Sequence, residues 1–319
     1  MLRSILIYLS KAEWARKLVM GFGFARRTAL RFVAGESLDE AIEVVRVLNN
    51  NGMLATLDHL GEDTASPEQS RQATDDIVAI LDAIHEAGVQ SNVSIKLTQV
   101  GLKLDPELCA ENLERIVKRG QELDIFVRID MEDSPVIDVT LELYHRMRSK
   151  GYDNVGKVLQ SYLYRTKEDT QSLLAEGTRI RLVKGAYDEP PEVAFPKKSD
   201  ADACFDEITT ILLEAANAQD APEVSSDGHW PPIPAIATHD EKRIEHTKQV
   251  AQQLNLPRNK YEFQMLHGIR RELQEQLVKD DYTMRIYVPF GTEWYPYFMR
   301  RLAERPANVW FFLSNLLRR

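Results

Sequence analysis

Met53-Leu54-Ala55-Thr56-Leu57-Asp58-His59-Leu60-Gly61-Glu62, followed shortly by Ser66-Pro67-Glu68, decides the fold of this chain. The first eight residues read as a short strand. Ser66-Pro67-Glu68 reads as a helix start, with an N-cap residue, a proline at the first helical position and an acid in the first turn. A doubly wound open sheet would usually carry a glycine fingerprint right after its first strand. Here that place is held by Leu57-Asp58-His59-Leu60-Gly61-Glu62, and Gly21-Phe22-Gly23 leads into no strand. Any nucleotide cofactor must therefore be held without a Rossmann turn.

The pattern then repeats. Further β-branched runs at 91–98, 124–130, 155–162, 178–184, 233–239, 261–267 and 283–288 alternate with amphipathic helices. Asp105-Pro106-Glu107 and Ser134-Pro135 supply further helix starts, and Gly88, Gly151 and Gly177 close three helices. Eight βα units in series predict an α/β fold of the parallel (βα)8 TIM-barrel type. Residues 51–319, with a C-terminal helix, are assigned to it, and residues 1–50 to a helical arm. Two connections are long. The 188–199 segment leaves the carboxyl end of a strand, where barrels place lids, whereas 219–232 enters a strand from the opposite face and reads as a tolerated insertion.

Bulk composition narrows the function classes. A chain of 319 residues with 44% hydrophobic content can bury a large core, and its net charge of −9 argues against nucleic acid as a partner. No run approaches the length of a membrane span. Cys109 and Cys204 lack metal or CxxC spacing, so two reduced thiols in a cytoplasmic setting are expected. The charge is uneven, however. Residues 1–35 hold Arg3, Lys11, Arg16, Lys17, Arg26, Arg27 and Arg31 against Glu13 alone, with aromatic residues between them. This arm either folds onto the main domain, the preferred reading, or touches the inner face of the membrane peripherally.

The strand ends are more polar than barrel geometry requires: Asp58, Lys96, Asp130, Gln160, Arg181, Lys184, Thr238, His239, His267 and Tyr287. Barrel active sites are assembled from several strand ends, so the set signals function in aggregate. Individually each has a bland reading; a lone His239 is more often structural, and Asp130 could cap the Ser134 turn. His59, His239 and His267 lack helical metal-site spacing, so no metal is expected. Past the last strand, Tyr297 lies one helical turn before Arg300 and Arg301. Two planar guanidiniums suit a carboxylate, and a basic helix surface is the alternative.

Together, Ser94-Ile95-Lys96-Leu97, Arg181-Leu182-Val183-Lys184-Gly185-Ala186-Tyr187, Ala237-Thr238-His239, Phe263-Gln264-Met265-Leu266-His267-Gly268 and Tyr297-x-x-Arg300-Arg301 resemble proline dehydrogenases in their monofunctional bacterial form. Asp240 departs from the asparagine expected in many relatives. The resemblance implies a distorted (βα)8 barrel, noncovalent FAD at its C-terminal face, and oxidation of L-proline to Δ1-pyrroline-5-carboxylate. Electrons would pass to a membrane quinone, and self-association is compatible with it.

Carried onto this sequence, the resemblance implies that Arg300, Arg301 and Lys96 hold the substrate carboxylate. Glu62 would pair with Arg300 as a gate, and Tyr187, Leu266, Tyr287 and Tyr297 would wall the proline ring. Arg181 would stand at the flavin N5 edge. Met131, Gln160, Lys184, Gly185, Ala186, Thr238 and His239 would contact the cofactor. Asp130 would interact with Lys96 in the site's charge network. A Schiff-base aldolase using Lys184 or Lys96 is the competing enzyme class, and a non-catalytic binding barrel the third reading.

Overall fold

The structure is a computed structural model and describes residues 12, 14, 30–61 and 63–304. The arm before residue 30, apart from those two positions, together with Glu62 and residues 305–319, lies outside the described residues. Eight parallel strands close in sequence order: β1 (Leu54–His59), β2 (Ser91–Ile95), β3 (Val127–Ile129), β4 (Val155–Gln160), β5 (Ile180–Val183), β6 (Pro234–Ala237), β7 (Glu262–Leu266) and β8 (Met284–Phe290), with β8 pairing back onto β1. Helix α1 (Leu38–Asn50) precedes β1. Around the barrel run α2 (Pro67–Ala87), α3 (Pro106–Glu122), α4 (Ile137–Ser149), α5 (Thr166–Ala175), α6 (Lys198–Ala216), α7 (Glu241–Gln253) and α8 (Arg271–Lys279). Helix α9 (Trp294–Glu304) follows β8.

Every expected strand is present, most of them shorter than the sequence suggested. The ladders of β2, β3 and β5 stop just before Lys96, Asp130 and Lys184, which frees these residues for work at the mouth. Ser66 and Asp105 cap α2 and α3 as predicted, and Gly88 closes α2 in the left-handed region. The Ser134-Pro135 start is a correction. Residues Ser134–Val136 form a 3-10 turn leading into α4, and Ser134 is not its cap. Its N–H and hydroxyl instead donate to Glu189, at 2.7 and 2.5 Å. Asp130, the other candidate cap, belongs to the barrel mouth.

Ladder partners share a face, so the register sorts the strand residues into two sets. The outer face is apolar, with Leu57, Val93, Ile129, Ile180, Leu182, Ile236, Phe263 and Ile286 all buried against the helices. Each such side chain contributes roughly 1.5–3 kcal/mol by leaving water. Lys157 is the exception on this face: it pairs with Ile129 and Ile180, is fully buried, and its Nζ has no partner among the described residues. The inner face departs from the usual Val, Ile and Leu layers. Arg128, Arg181, Glu262, Gln264 and Arg285 are buried there, and the Arg285 Nε–Glu262 Oε1 pair (3.0 Å) is wholly closed to solvent.

The segment before β6 is not a tolerated insertion but a plug in the amino-terminal mouth. Arg285 donates to the Gly228 carbonyl (2.9 Å), and Asn92 to that of His229 (3.2 Å). The Trp230 indole donates to Asp124 (2.8 Å), and Arg179 stacks on its ring. The loop thus supplies one backbone acceptor to the buried Arg285 and another, the Pro231 carbonyl, to Arg179. At the opposite mouth, Phe32, Val33, Leu60, Ile269, Trp294, Tyr297 and Phe298 form a second apolar cluster. It seats α9 against the carboxyl ends of β1 and β7. Backbone bonds from Ala34 to Pro289 and from Gly291 to Gly35 strap the segment before α1 to β8.

Candidate active site

The carboxyl ends of β1, β2, β3, β5 and β8 bring one connected charge network together. Lys96 Nζ donates to Asp58 Oδ1 at 2.7 Å and lies 3.4 Å from the Tyr287 hydroxyl and 3.7 Å from Asp130 Oδ2. Tyr287 donates to Asp130 Oδ2 at 2.7 Å. Arg181 donates from Nη1 to Asp130 Oδ1 and from Nη2 to Ser94 Oγ, both at 2.9 Å, with its guanidinium 5.3 Å from the centre of the Tyr287 ring. Two cations thus meet two carboxylates and a phenol, and both Asp58 and Arg181 are buried.

Burial sets the protonation states. It raises the Asp58 carboxyl, helped by Asp130 and opposed by Lys96. On Lys96 burial works against charge, but Asp58 and Asp130 outweigh it and hold the ammonium above its usual range. Burial, then Asp130 and Asp58, push the Tyr287 hydroxyl well up, so it remains a neutral donor.

Beside this network, Gln160 donates from Nε2 to the Met131 carbonyl (3.1 Å) and the Glu132 carbonyl (3.3 Å). Its Oε1 and the Nε of Arg181 are buried and have no hydrogen-bond partner among the described residues. The Thr238 hydroxyl accepts from the Asp240 backbone, and His239 Nε2 accepts from the Leu266 N–H at 3.0 Å. His239 therefore has the structural duty that its bland reading suggested. Lys184 sits apart from the Asp130 network. It donates to Asp202 and Asp240, each at 2.6 Å, in a cluster that also holds Lys198 and Arg243. Gly185 has φ +109, and a Cβ there would stand 2.3 Å from the Tyr162 ring, so the close approach that requires this glycine is to Tyr162.

Ala186 and Tyr187 lie at the rim, where the Tyr187 side chain is 37% exposed while its hydroxyl end is surrounded by protein. Burial and Glu132 raise the Tyr187 hydroxyl while Arg300 opposes them, which puts Arg300 within electrostatic reach of this ring. Arg301 stacks over Tyr297, 5.1 Å from its centre, as positions four apart on a helix should. Leu266 packs against the cluster that holds Tyr297. Glu62, the expected gate, lies outside the described residues.

Asp58 stands among the polar strand ends without an individual role assigned to it from the sequence, and Ser94 and Glu189 have none either. Asp58 and Ser94 are ladder partners on the inner face, which alternation along each strand signals once the barrel is accepted. Glu189 gave no signal, since its partner Ser134 comes from a different βα unit.

A closed parallel barrel with charge-compensated side chains gathered at the carboxyl ends of its strands is the layout of a (βα)8 enzyme. The chain belongs to the proline dehydrogenase family, whose sequence profile matches residues 41–313. It is 39% identical to Proline dehydrogenase 1 of Bacillus subtilis (strain 168) over 319 residues, 100% of both chains. Proline dehydrogenase of Deinococcus radiodurans is 40% identical over 294 residues, 91% of this chain and 90% of that one. Among solved structures, proline utilization A from Bdellovibrio bacteriovorus, inactivated by N-propargylglycine, superposes with a TM-score of 0.78 at 27% identity. That match covers 88% of this chain and 33% of that one. Members of the family are in general flavin-dependent. Among the described residues no helix is long and apolar enough to cross a membrane.

Proposed function

We propose that this chain oxidises L-proline to Δ1-pyrroline-5-carboxylate with noncovalently held FAD and passes the electrons to a membrane quinone. The observation that carries the reading is the pairing of two orphaned buried atoms, Gln160 Oε1 and Arg181 Nε, with the Asp130–Arg181–Tyr287–Lys96–Asp58 network. The acceptor suits the imide N–H of an isoalloxazine ring, and the donor suits its N5. When bound, FAD would supply the hydride acceptor.

The residues of the chain would bind, orient and tune. Arg181 offers a fixed cation where negative charge builds up during reduction, and Asp130 holds that cation in place. Met131, Thr238, His239, Lys184, Gly185 and Ala186 would complete the cofactor bed. Arg300 and Arg301 would take the substrate carboxylate, with Lys96 as third cation and Glu62 as gate. Tyr187, Leu266, Tyr287 and Tyr297 would enclose the ring and exclude water. The Tyr287 hydroxyl, donating to Asp130, and the Arg181 guanidinium over its ring would hold that ring in place against the substrate carbons.

Family membership sets the aldolase aside, and the geometry agrees: Lys96 is held charged by Asp58 and Asp130, whereas a Schiff-base lysine must shed its proton. Turnover of L-proline with an artificial electron acceptor, then with a quinone, tests the proposal in two stages. Formation of pyrroline-5-carboxylate supports the first, and absence of any proline-dependent reduction overturns it.

A further inference from the structure

The loop that carries Tyr187 is fixed on both sides of that residue. Two positions before it, Gly185 sits against the Tyr162 ring in a space that no side chain could share. Two positions after it, the Glu189 carboxylate spans the Ser134 N–H at 2.7 Å and the Ser134 hydroxyl at 2.5 Å. Beyond that, Tyr164 donates to the Pro191 carbonyl (2.9 Å), Phe195 N–H bonds to the Tyr162 carbonyl (2.7 Å), and Leu163 bridges Ala194. The later part of the loop therefore belongs to the β4–α5 connection. Among the described residues Glu189 alone, through these two hydrogen bonds, ties the Tyr187 end to the start of α4 across the mouth.

A carboxylate is well suited to this duty. Ser134 opens a 3-10 turn that has no side-chain cap of its own, so its N–H needs an acceptor. Glu189 answers it with a side-chain carboxylate that spans both Ser134 donors, and charge-assisted bonds of this kind are roughly twice as strong as neutral ones. The same contact that caps the turn anchors the loop.

We infer that Glu189 is a positioning residue: by latching onto Ser134 it holds Tyr187 at the height where its ring covers the substrate. The inference rests on the proposed role of Tyr187 as a wall of the proline site. Losing the latch lets the loop sample positions in which the wall is absent, so substrate binding suffers before the chemistry does.

The test is a double-mutant cycle on the FAD-loaded enzyme, combined with amide hydrogen exchange. Glu189→Ala should lower kcat/KM for proline by about tenfold, mainly through KM, the equivalent of one charge-assisted hydrogen bond. Glu189→Gln, which keeps an acceptor, should recover part of that loss. In a Tyr187→Ala background the Glu189→Ala change should cost less than about twofold, because residues acting through one contact are not additive. Amide exchange in residues 186–189 should quicken in Glu189→Ala, and this readout needs no activity. Full additivity of the two substitutions, or an unchanged exchange rate, overturns the inference. Quickened exchange in Glu189→Ala, together with a wild-type protein that does not oxidise proline, would fault the functional reading and leave the latch standing.

Discussion

Asp58→Asn gives the sharpest view of how the charge network works. The wild-type carboxylate is 1% exposed and accepts from Lys96 Nζ at 2.7 Å, while the next carboxylate oxygen, on Asp130, is 3.7 Å from the same ammonium. The amide preserves shape and removes the closest negative charge. One charge-assisted hydrogen bond is worth about 1.5–3 kcal/mol, so we predict a fall in kcat/KM for proline of about 10- to 150-fold. The pH dependence follows from the balance on Lys96, where burial opposes charge and Asp58 is the first influence to counter it. Without Asp58 the ammonium loses its proton at lower pH, so the deficit should widen as pH rises from neutral into the alkaline range. Lys96→Met adds a control. It strands the buried Asp58, and breaking a buried pair from one side costs roughly 3–5 kcal/mol of stability. The double variant should therefore be more stable than Lys96→Met alone. Steady-state kinetics across pH, with thermal unfolding of the four proteins, measures both effects. A wild-type pH profile in Asp58→Asn, or a double variant no more stable than Lys96→Met, refutes the reasoning.

Three further outcomes are expected. Replacing Arg300 or Arg301 by Met should raise the KM for proline by about one to two orders of magnitude while sparing FAD content, and equal KM values would reduce the pair to a surface feature. Tyr287→Ser should weaken proline turnover more than that of 4-hydroxyproline, because the phenol fills space that a ring substituent needs; the selectivity shift should stay within about 10- to 200-fold. Lys157→Met should stabilise the fold. Burial lowers the Lys157 ammonium to about 7, whereas an unfolded lysine titrates near ~10.4. Across that window the unfolded chain binds the extra proton, so the cost is present at and below neutral pH and fades as pH rises. We predict a gain on the order of 3 kcal/mol at neutral pH, shrinking toward the alkaline end in chemical denaturation. A gain independent of pH would mean that the lysine is solvated.

The barrel was legible because its signals are local. Caps such as Ser66 and Asp105, and β-branched runs such as the one ending at Ile95, depend on neighbours in sequence. So did the stacking of Arg301 on Tyr297, which helical spacing dictates. The convergence of Lys96, Asp130, Arg181 and Tyr287 could be anticipated from their places at strand ends. What escaped reading were partners contributed by distant units. Nothing beside Ser134 announces that Glu189, 55 residues on, will take its N–H. The plug at Gly228–Trp230 answers cations on β8 and beside β5, and only the closed barrel brings them within reach. Lys184 illustrates the same limit: nothing near it in sequence announces that Asp202 on α6 and Asp240 before α7 will pair with its ammonium.

Anaerobic titration of the purified, FAD-reconstituted protein with L-proline tests the central claim most directly. We predict stoichiometric flavin that acid precipitation releases intact, and bleaching of its visible band by L-proline without any nicotinamide cofactor. Arg181→Met should keep most of the flavin but slow the bleaching by about 100-fold or more, as expected when a fixed donor facing developing charge is removed. A protein that retains no FAD after reconstitution, or whose bound flavin stays oxidised under excess proline, would contradict the account.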